Sequence, residues 1–204
     1  MKEGECAYCG QWRELTRDHV PPVCLFGRPR PSNLVTVPCC STCNRNLSKH
    51  DEYFRFAVTA GIDSAKFPNE SADSVRAVNN LIRPASRRFA RQLLSSYEGN
   101  PPRLKLDRDR IDIVLHRIAR GLFYHYTGAR LPETVSFESR LLPSRNIPAF
   151  GRERITHLEG RLNTIGDGIF QHAFEPWADA DPFGTLWLMR FYDSRTFFCA
   201  TASD

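Results

Sequence analysis

Two Cys-x-x-Cys pairs constrain this chain more than any other feature of its sequence. Cys6 and Cys9 form the first pair, and Cys40 and Cys43 form the second after a long insertion. Four thiolates at this spacing bind Zn²⁺ in a closed tetrahedral site, which is structural rather than catalytic. Cys39 could replace Cys40 as a ligand, although the Cys-x-x-Cys spacing favours Cys40. The alternative to a zinc site is a group of buried free thiols.

The insertion between the pairs carries the acid and base groups of this region. Asp18 and His19 are adjacent within the segment T-R-D-H-V-P-P, Asn33 precedes a short β-branched run, and Asn44 comes directly after Cys43. Each has an ordinary alternative: a surface histidine, a turn asparagine, or an asparagine that caps a helix. We expect the zinc to hold these four side chains in one region.

The pattern C-x-x-C, D-H-V-x-P, N-L-V-T-V and C-x-x-C-N, in this order, resembles the HNH endonuclease family in its zinc-bound ββα-metal form. Asn44 takes the last motif position, which makes this an H-N-N variant. The resemblance covers only the N-terminal part of the chain. It implies a β-hairpin followed by a helix, and a metal-dependent hydrolysis of DNA phosphodiester bonds that leaves 5′-phosphate and 3′-hydroxyl ends.

The same resemblance assigns a role to each motif residue. His19 would be the general base that deprotonates water, a task that suits an imidazole at neutral pH. Asn33 would orient the catalytic loop. Asp18 and Asn44 would hold one catalytic Mg²⁺ or Mn²⁺ through oxygen atoms.

Two positions depart from the family pattern. Leu47 stands where the family often has lysine, and Ser48 stands where many members have a third metal ligand. These departures favour an alternative, a catalytically decayed zinc-stabilised module that still binds nucleic acid. A third hypothesis is a protein-interaction module that uses the zinc only as a scaffold.

Asp18 and His19 also raise a geometric question. Adjacent residues in a regular strand point to opposite faces, so both cannot face one site. We therefore predict a distorted or terminal strand geometry at this dipeptide.

The whole sequence predicts an α+β fold. A zinc-bound ββα-metal module is expected over residues 1–61, and an α+β region of unknown role over residues 62–204, with helices at about 71–128 and antiparallel strands at about 134–201. The clearest helix begins near Asp107 and ends near Gly128, with an apolar stripe at helical spacing. Its members are Ile111, Val114, Leu115, Ile118 and Leu122.

The net charge of +5 favours a polyanionic partner, and the middle of the chain is the most basic part. We expect DNA as that partner, although a solvated helical face explains the same residues nearly as well. The residues expected to contact the DNA backbone are Arg45, Lys49, Arg87, Arg88 and Arg91.

Several further expectations concern the setting of the protein. The sequence has no long apolar run, so no membrane span is expected. Cysteine usage that suits zinc better than disulfides, together with a charged N-terminus, predicts a cytoplasmic location. A homodimer is a further expectation, because a double-strand cut by one such site requires two copies.

Overall fold

The computed structural model describes residues 2–59, 62–72, 97–98, 103–104, 106–142, 149–177 and 181–203. The fold is α+β, as predicted. It has a three-stranded sheet with the cysteine cluster at the N-terminus and a larger antiparallel sheet at the C-terminus. In the described part of the chain, no helix is long and apolar enough to cross a membrane.

The N-terminal sheet contains β1 (Lys2–Glu5), β2 (Trp12–Val20) and β3 (Val35–Cys40), in that order and antiparallel. The register between β2 and β3 is continuous, from Leu15 opposite Cys40 to Val20 opposite Val35. Of the two predicted geometries at the Asp-His dipeptide, a distorted strand is not observed, whereas a terminal position is, since β2 ends at Val20, one residue after His19. β2 is a regular strand there, and the two side chains face opposite sides of it.

The helical segment after β3 begins at Ser41, directly after Cys40. It consists of α1 (Ser41–Leu47), a single 3-10 turn (Ser48–His50) and α2 (Asp51–Thr59). The Cys40 side chain caps α1 by accepting a hydrogen bond from the Cys43 N–H. The predicted order of hairpin and then helix is confirmed.

The helix α3 (Arg108–Thr127) packs across this module, against α2 and β3. Its predicted limits are confirmed, because the Asp107 carboxylate accepts from the Arg110 N–H and Gly128 ends the helix at φ 70°. The five predicted apolar residues of α3 are all buried. Gly121 lies where α3 meets β2, and an added Cβ would be only 2.5 Å from Val20 Cγ2.

The C-terminal sheet is antiparallel. In their order across the sheet, its strands are β6 (Ser136–Leu142), β10 (Arg195–Ala202), β9 (Thr185–Phe191), β8 (Phe170–Pro176) and β7 (Asn163–Ile165). Tyr192 and Asp193 turn between β9 and β10 with φ of 52° and 51°, as hairpin turns of this kind require. Antiparallel strands were predicted in this region, whereas α4 (Ala149–Glu159) and the short strand β7 were not. Two short strands before α3, β4 (Tyr97–Glu98) and β5 (Arg103–Leu104), form a separate two-stranded ladder.

The N-terminal module shares a buried core with the C-terminal sheet. Phe54 of α2 packs edge-on against Phe191 of β9, with ring centroids 5.1 Å apart. The Tyr192 hydroxyl donates to the Leu25 carbonyl at 2.6 Å. Residues on both sides of position 61 thus contribute to one apolar cluster, and the domain boundary at that position stays a prediction.

Candidate active site

The four predicted zinc ligands converge between two turns. Cys6 and Cys9 lie at the turn from β1 to β2, and Cys40 and Cys43 lie at the junction of β3 and α1. Their four Sγ atoms all lie within 4.8 Å of one another, and the Sγ atoms of Cys9 and Cys40 are 3.9 Å apart. Zn–S bonds of about 2.3 Å in a tetrahedron place the sulfurs about 3.8 Å apart, so this cluster fits a zinc ion.

Backbone donors also suit the cluster to thiolates. The N–H groups of Cys40 and Cys43 donate to the Sγ atoms of Cys6 and Cys40, at 3.3 and 3.5 Å. Burial alone would raise the pKa of the Cys6 thiol. Backbone hydrogen bonds, of which the one from Cys40 is the strongest, outweigh burial and lower this pKa to about 7. Burial and the neighbouring thiols raise the pKa of Cys43. Four thiolates so close together need a cation between them.

Cys39 is buried outside this cluster. Its thiol donates to the Cys40 carbonyl at 3.3 Å, and burial raises its pKa. The group of four described cysteines that can hold a metal contains Cys40 and not Cys39, as the Cys-x-x-Cys spacing favoured.

Asp18 lies on the buried face of β2, with only 4% of its side chain exposed. Arg117 of α3, itself 3% exposed, donates from Nε to Asp18 Oδ2 at 2.9 Å and from Nη2 to Oδ1. The Tyr8 hydroxyl donates to the same Oδ2 at 2.6 Å. Both oxygens of the Asp18 carboxylate therefore already accept hydrogen bonds within the protein.

Arg117 joins Asp18 to a second carboxylate. Its Nη1 donates to Asp51 Oδ1 at 2.8 Å, at the start of α2. Burial, together with the negative charge of Asp18, raises the pKa of Asp51 to about 6, although the Arg117 charge and its hydrogen bond act against this shift. One guanidinium thus holds together two carboxylates from β2 and α2.

His19 lies on the opposite face of β2. Asp18 and Val20 on either side of it are buried, whereas His19 is half-exposed. Thr36 is directly across from it on β3, and Arg17, two residues before it, is exposed on the same face. Within the described residues, no hydrogen-bond partner holds the imidazole.

The two motif asparagines lie in different places. Asn44 of α1 donates from Nδ2 to Thr16 Oγ1 at 3.3 Å, and Thr16 shares the strand face of Asp18. Asn33 is exposed and donates from Nδ2 to the Thr164 carbonyl of β7 at 3.0 Å. The fold therefore brings Asp18 and Asn44 to one face of β2, and it places His19 on the other face and Asn33 against the C-terminal sheet.

The comparison with protein families gives a match that coincides with this module. Residues 6–59 match the HNH endonuclease family. The match runs from the first zinc ligand to the end of α2 and therefore includes every residue of the motif. The comparisons with curated proteins and with solved structures gave no match.

The residues expected to contact DNA are only in part visible. Arg45 and Lys49 are exposed on α1 and on the turn after it, where they donate hydrogen bonds to neighbouring residues of the same segment. Arg87, Arg88 and Arg91 lie outside the described residues. DNA contact by these five side chains stays a prediction.

The residues expected to hold a catalytic divalent ion already make hydrogen bonds within the protein. The Asp18 carboxylate is enclosed by Arg117 and Tyr8, and Asn44 uses its amide nitrogen on Thr16. Among the described residues, the cysteine quartet is the one group of three or more His, Cys, Asp or Glu side chains placed to share a metal. The assignment of Asp18 and Asn44 to Mg²⁺ or Mn²⁺ stays a prediction.

The network around Asp18 was not predicted from the sequence. Arg117 lies far from the HNH segment in the chain, so no motif spacing relates it to Asp18. One signal was present, because Arg117 falls between Val114 and Gly121 in the buried stripe of α3. An arginine in such a stripe indicates a buried acidic partner, since a buried charge requires a pair.

Proposed function

We propose that this protein is a nuclease that hydrolyses DNA phosphodiester bonds, with His19 as the general base. One observation above all supports this function. His19 is a half-exposed imidazole without a hydrogen-bond partner among the described residues, on the outer face of an HNH segment that has a zinc-binding cysteine cluster. The match of residues 6–59 to that family suggests a nuclease and a nucleic-acid substrate.

The reaction requires one proton acceptor near the attacking water. The imidazole of His19 takes a proton from water as the water oxygen bonds to phosphorus. The bond from phosphorus to the 3′-oxygen breaks, the 3′-oxygen takes a proton from solvent, and the imidazolium returns its proton to solvent. Base catalysis of this kind contributes about 10²- to 10⁴-fold to the rate. The products are a 5′-phosphate and a 3′-hydroxyl end.

One exposed cation near His19, and two more on the helical segment after β3, support a polyanionic substrate. Arg17 lies two residues away on the same exposed strand face, and Arg45 and Lys49 are exposed on the segment after β3. Side chains of this kind bind phosphate oxygens, and such binding weakens as the salt concentration rises. We therefore propose the outer face of the β2–β3 hairpin as the surface that approaches DNA.

The family resemblance adds a divalent ion, Mg²⁺ or Mn²⁺, on Asp18 and Asn44. When bound, such an ion would stabilise charge at phosphorus and on the leaving oxygen. Because the Asp18 oxygens are already bonded to Arg117 and Tyr8, our proposal contains no step through the ion. Asn33 is kept as a residue that orients the loop before β3.

A second candidate function is a zinc-stabilised nucleic-acid-binding module without catalysis. The internal pairing of Asp18 favours it, since that carboxylate is not free to bind a metal ion. The departures at Leu47 and Ser48 point in the same direction. This candidate predicts salt-sensitive DNA binding with no cleavage.

Cleavage of supercoiled plasmid separates the two candidates. The wild-type chain and His19→Ala are compared in Mg²⁺, in Mn²⁺ and in EDTA at equal zinc content, with His125→Ala as the matched control. His125 is an exposed histidine of α3 outside the site. The nuclease predicts nicking that falls at least about 100-fold in His19→Ala and is unchanged in the control. DNA binding without cleavage by any of the three proteins would establish the binding module instead.

A further inference from the structure

Arg117 reaches the HNH motif from outside the segment that matches the family. It belongs to α3, whereas the family match ends at residue 59. Its guanidinium contacts a motif residue, Asp18, more extensively than any other described side chain does. The HNH segment is therefore completed by a cation that the rest of the chain supplies.

We propose that Arg117 is the permanent cation of the Asp18 carboxylate and takes the place that a divalent ion would occupy there. Arg117 is then a positioning residue, and Asp18 anchors the strand that carries His19 instead of binding Mg²⁺ or Mn²⁺. This inference rests on the proposed function, because Arg117 can position a catalytic residue only if the protein is a nuclease. The binding of the ion, however, can be measured whether or not the protein cleaves DNA.

The bonding at Arg117 shows why an ion would not displace it. Nε and Nη2 bind the two oxygens of Asp18 as a fork, and Nη1 binds Asp51 at 2.8 Å. An arginine fork matches the geometry of a carboxylate, and its charge-assisted hydrogen bonds are stronger than neutral ones. Every nitrogen of the guanidinium thus donates to a carboxylate.

Burial increases the cost of displacement. Asp18 and Arg117 are 4% and 3% exposed, so water could not replace the bonds that either group would lose. An ion arriving at Asp18 would leave a buried guanidinium without its main partner, which lowers the affinity for the ion by about a hundredfold or more. Mg²⁺ held by one or two carboxylates gives up its own waters reluctantly. The arginine therefore outcompetes it.

The carboxylates around Arg117 also predict the effect of removing the arginine. Asp18 and Asp51 bond to different nitrogens of the same guanidinium. Without the arginine, these two buried or half-buried carboxylates would lie near each other with no cation between them. Such a pair attracts a divalent ion.

The test is a titration of Mn²⁺ into the zinc-loaded full chain, with free Mn²⁺ followed by electron paramagnetic resonance. The wild type is compared with Arg117→Met and with the double variant Asp18→Asn/Arg117→Met. The double variant removes both charges of the Asp18–Arg117 pair, so neither of these two charges is left buried without the other. Zinc content and circular dichroism establish that each protein is folded.

The inference predicts that the wild type and the double variant bind Mn²⁺ with affinities within about twofold of each other. It also predicts that Arg117→Met binds Mn²⁺ at least about tenfold more tightly than the double variant does. It is overturned if the wild type binds Mn²⁺ about tenfold more tightly than the double variant. It is also overturned if Arg117→Met folds and shows no gain. Loss of nuclease activity alone would change none of these affinities, so failure of the proposed function is distinguishable.

Crystals of the wild type soaked in MnCl₂ give a test that needs no variant. An anomalous peak at about 2 to 2.5 Å from an Asp18 oxygen would overturn the inference. Asp18 still paired with Arg117, with no such peak, would uphold it even if Arg117→Met did not fold.

Discussion

Asp18→Asn should destabilise this protein far more than the loss of an ordinary ion pair. The substitution keeps the shape of the side chain and removes its charge, so Arg117 loses the main partner of a buried guanidinium. Because both side chains are less than 5% exposed, solvent screening does not reduce the effect. Breaking one partner of a buried pair costs about 3–5 kcal/mol, and the fork geometry places this pair within that range.

Urea unfolding of the zinc-loaded chain, followed by circular dichroism, measures this loss. Glu159→Gln is the matched control, because it makes the same acid-to-amide change in the Arg190–Glu159 pair, whose Nη2 and Oε1 atoms are 2.6 Å apart at the surface. The control should lose less than about 1 kcal/mol. A loss in Asp18→Asn no greater than in the control would refute the argument that the pair is desolvated.

Two further predictions concern the zinc and the contact between α3 and β2. Cys43→Ser should reduce the bound zinc, measured by mass spectrometry of the purified protein, from one ion per chain to none, because a closed structural site needs four ligands; retention of one tightly bound ion would contradict the four-cysteine assignment. Gly121→Ala should lower the free energy of unfolding by about 1–3 kcal/mol, because the new methyl group would lie 2.5 Å from Val20. Thermal unfolding at or above that of the wild type would contradict so close an approach.

The features predicted from the sequence are those that depend on local spacing. Two cysteine pairs and the β-branched run before the second pair were enough to predict the hairpin and the zinc cluster. The apolar stripe from Ile111 to Leu122, between a capping aspartate and Gly128, predicted the limits of α3. In both cases the signal and the structure lie within a short stretch of chain.

The features that were missed depend on long-range contacts or on weak patterns. The Arg117–Asp18 pair joins residues 99 positions apart, and the bond from Asn33 to Thr164 spans 131 positions. Neither separation leaves a periodic signal in the sequence. The three-residue strand β7 is held by pairing with β8, which no local propensity predicts.

The geometry of the Asp-His dipeptide shows why a motif alone did not fix the site. The motif implies that both residues serve one centre, which led to the expectation of a distorted or terminal strand geometry. β2 instead keeps its register with β3 as far as Val20, where the strand ends. Its inner face bonds to Arg117 through Asp18, and Val20 lies next to Gly121 of α3. The outer face is left for His19.

The most direct measurement of the central claim is chemical rescue of His19→Ala by imidazole in the plasmid-nicking assay. If His19 is the general base, the variant is inactive alone and regains nicking in proportion to the concentration of added imidazole, while His125→Ala needs none. Wild-type nicking by His19→Ala without imidazole would contradict the claim that His19 activates the water.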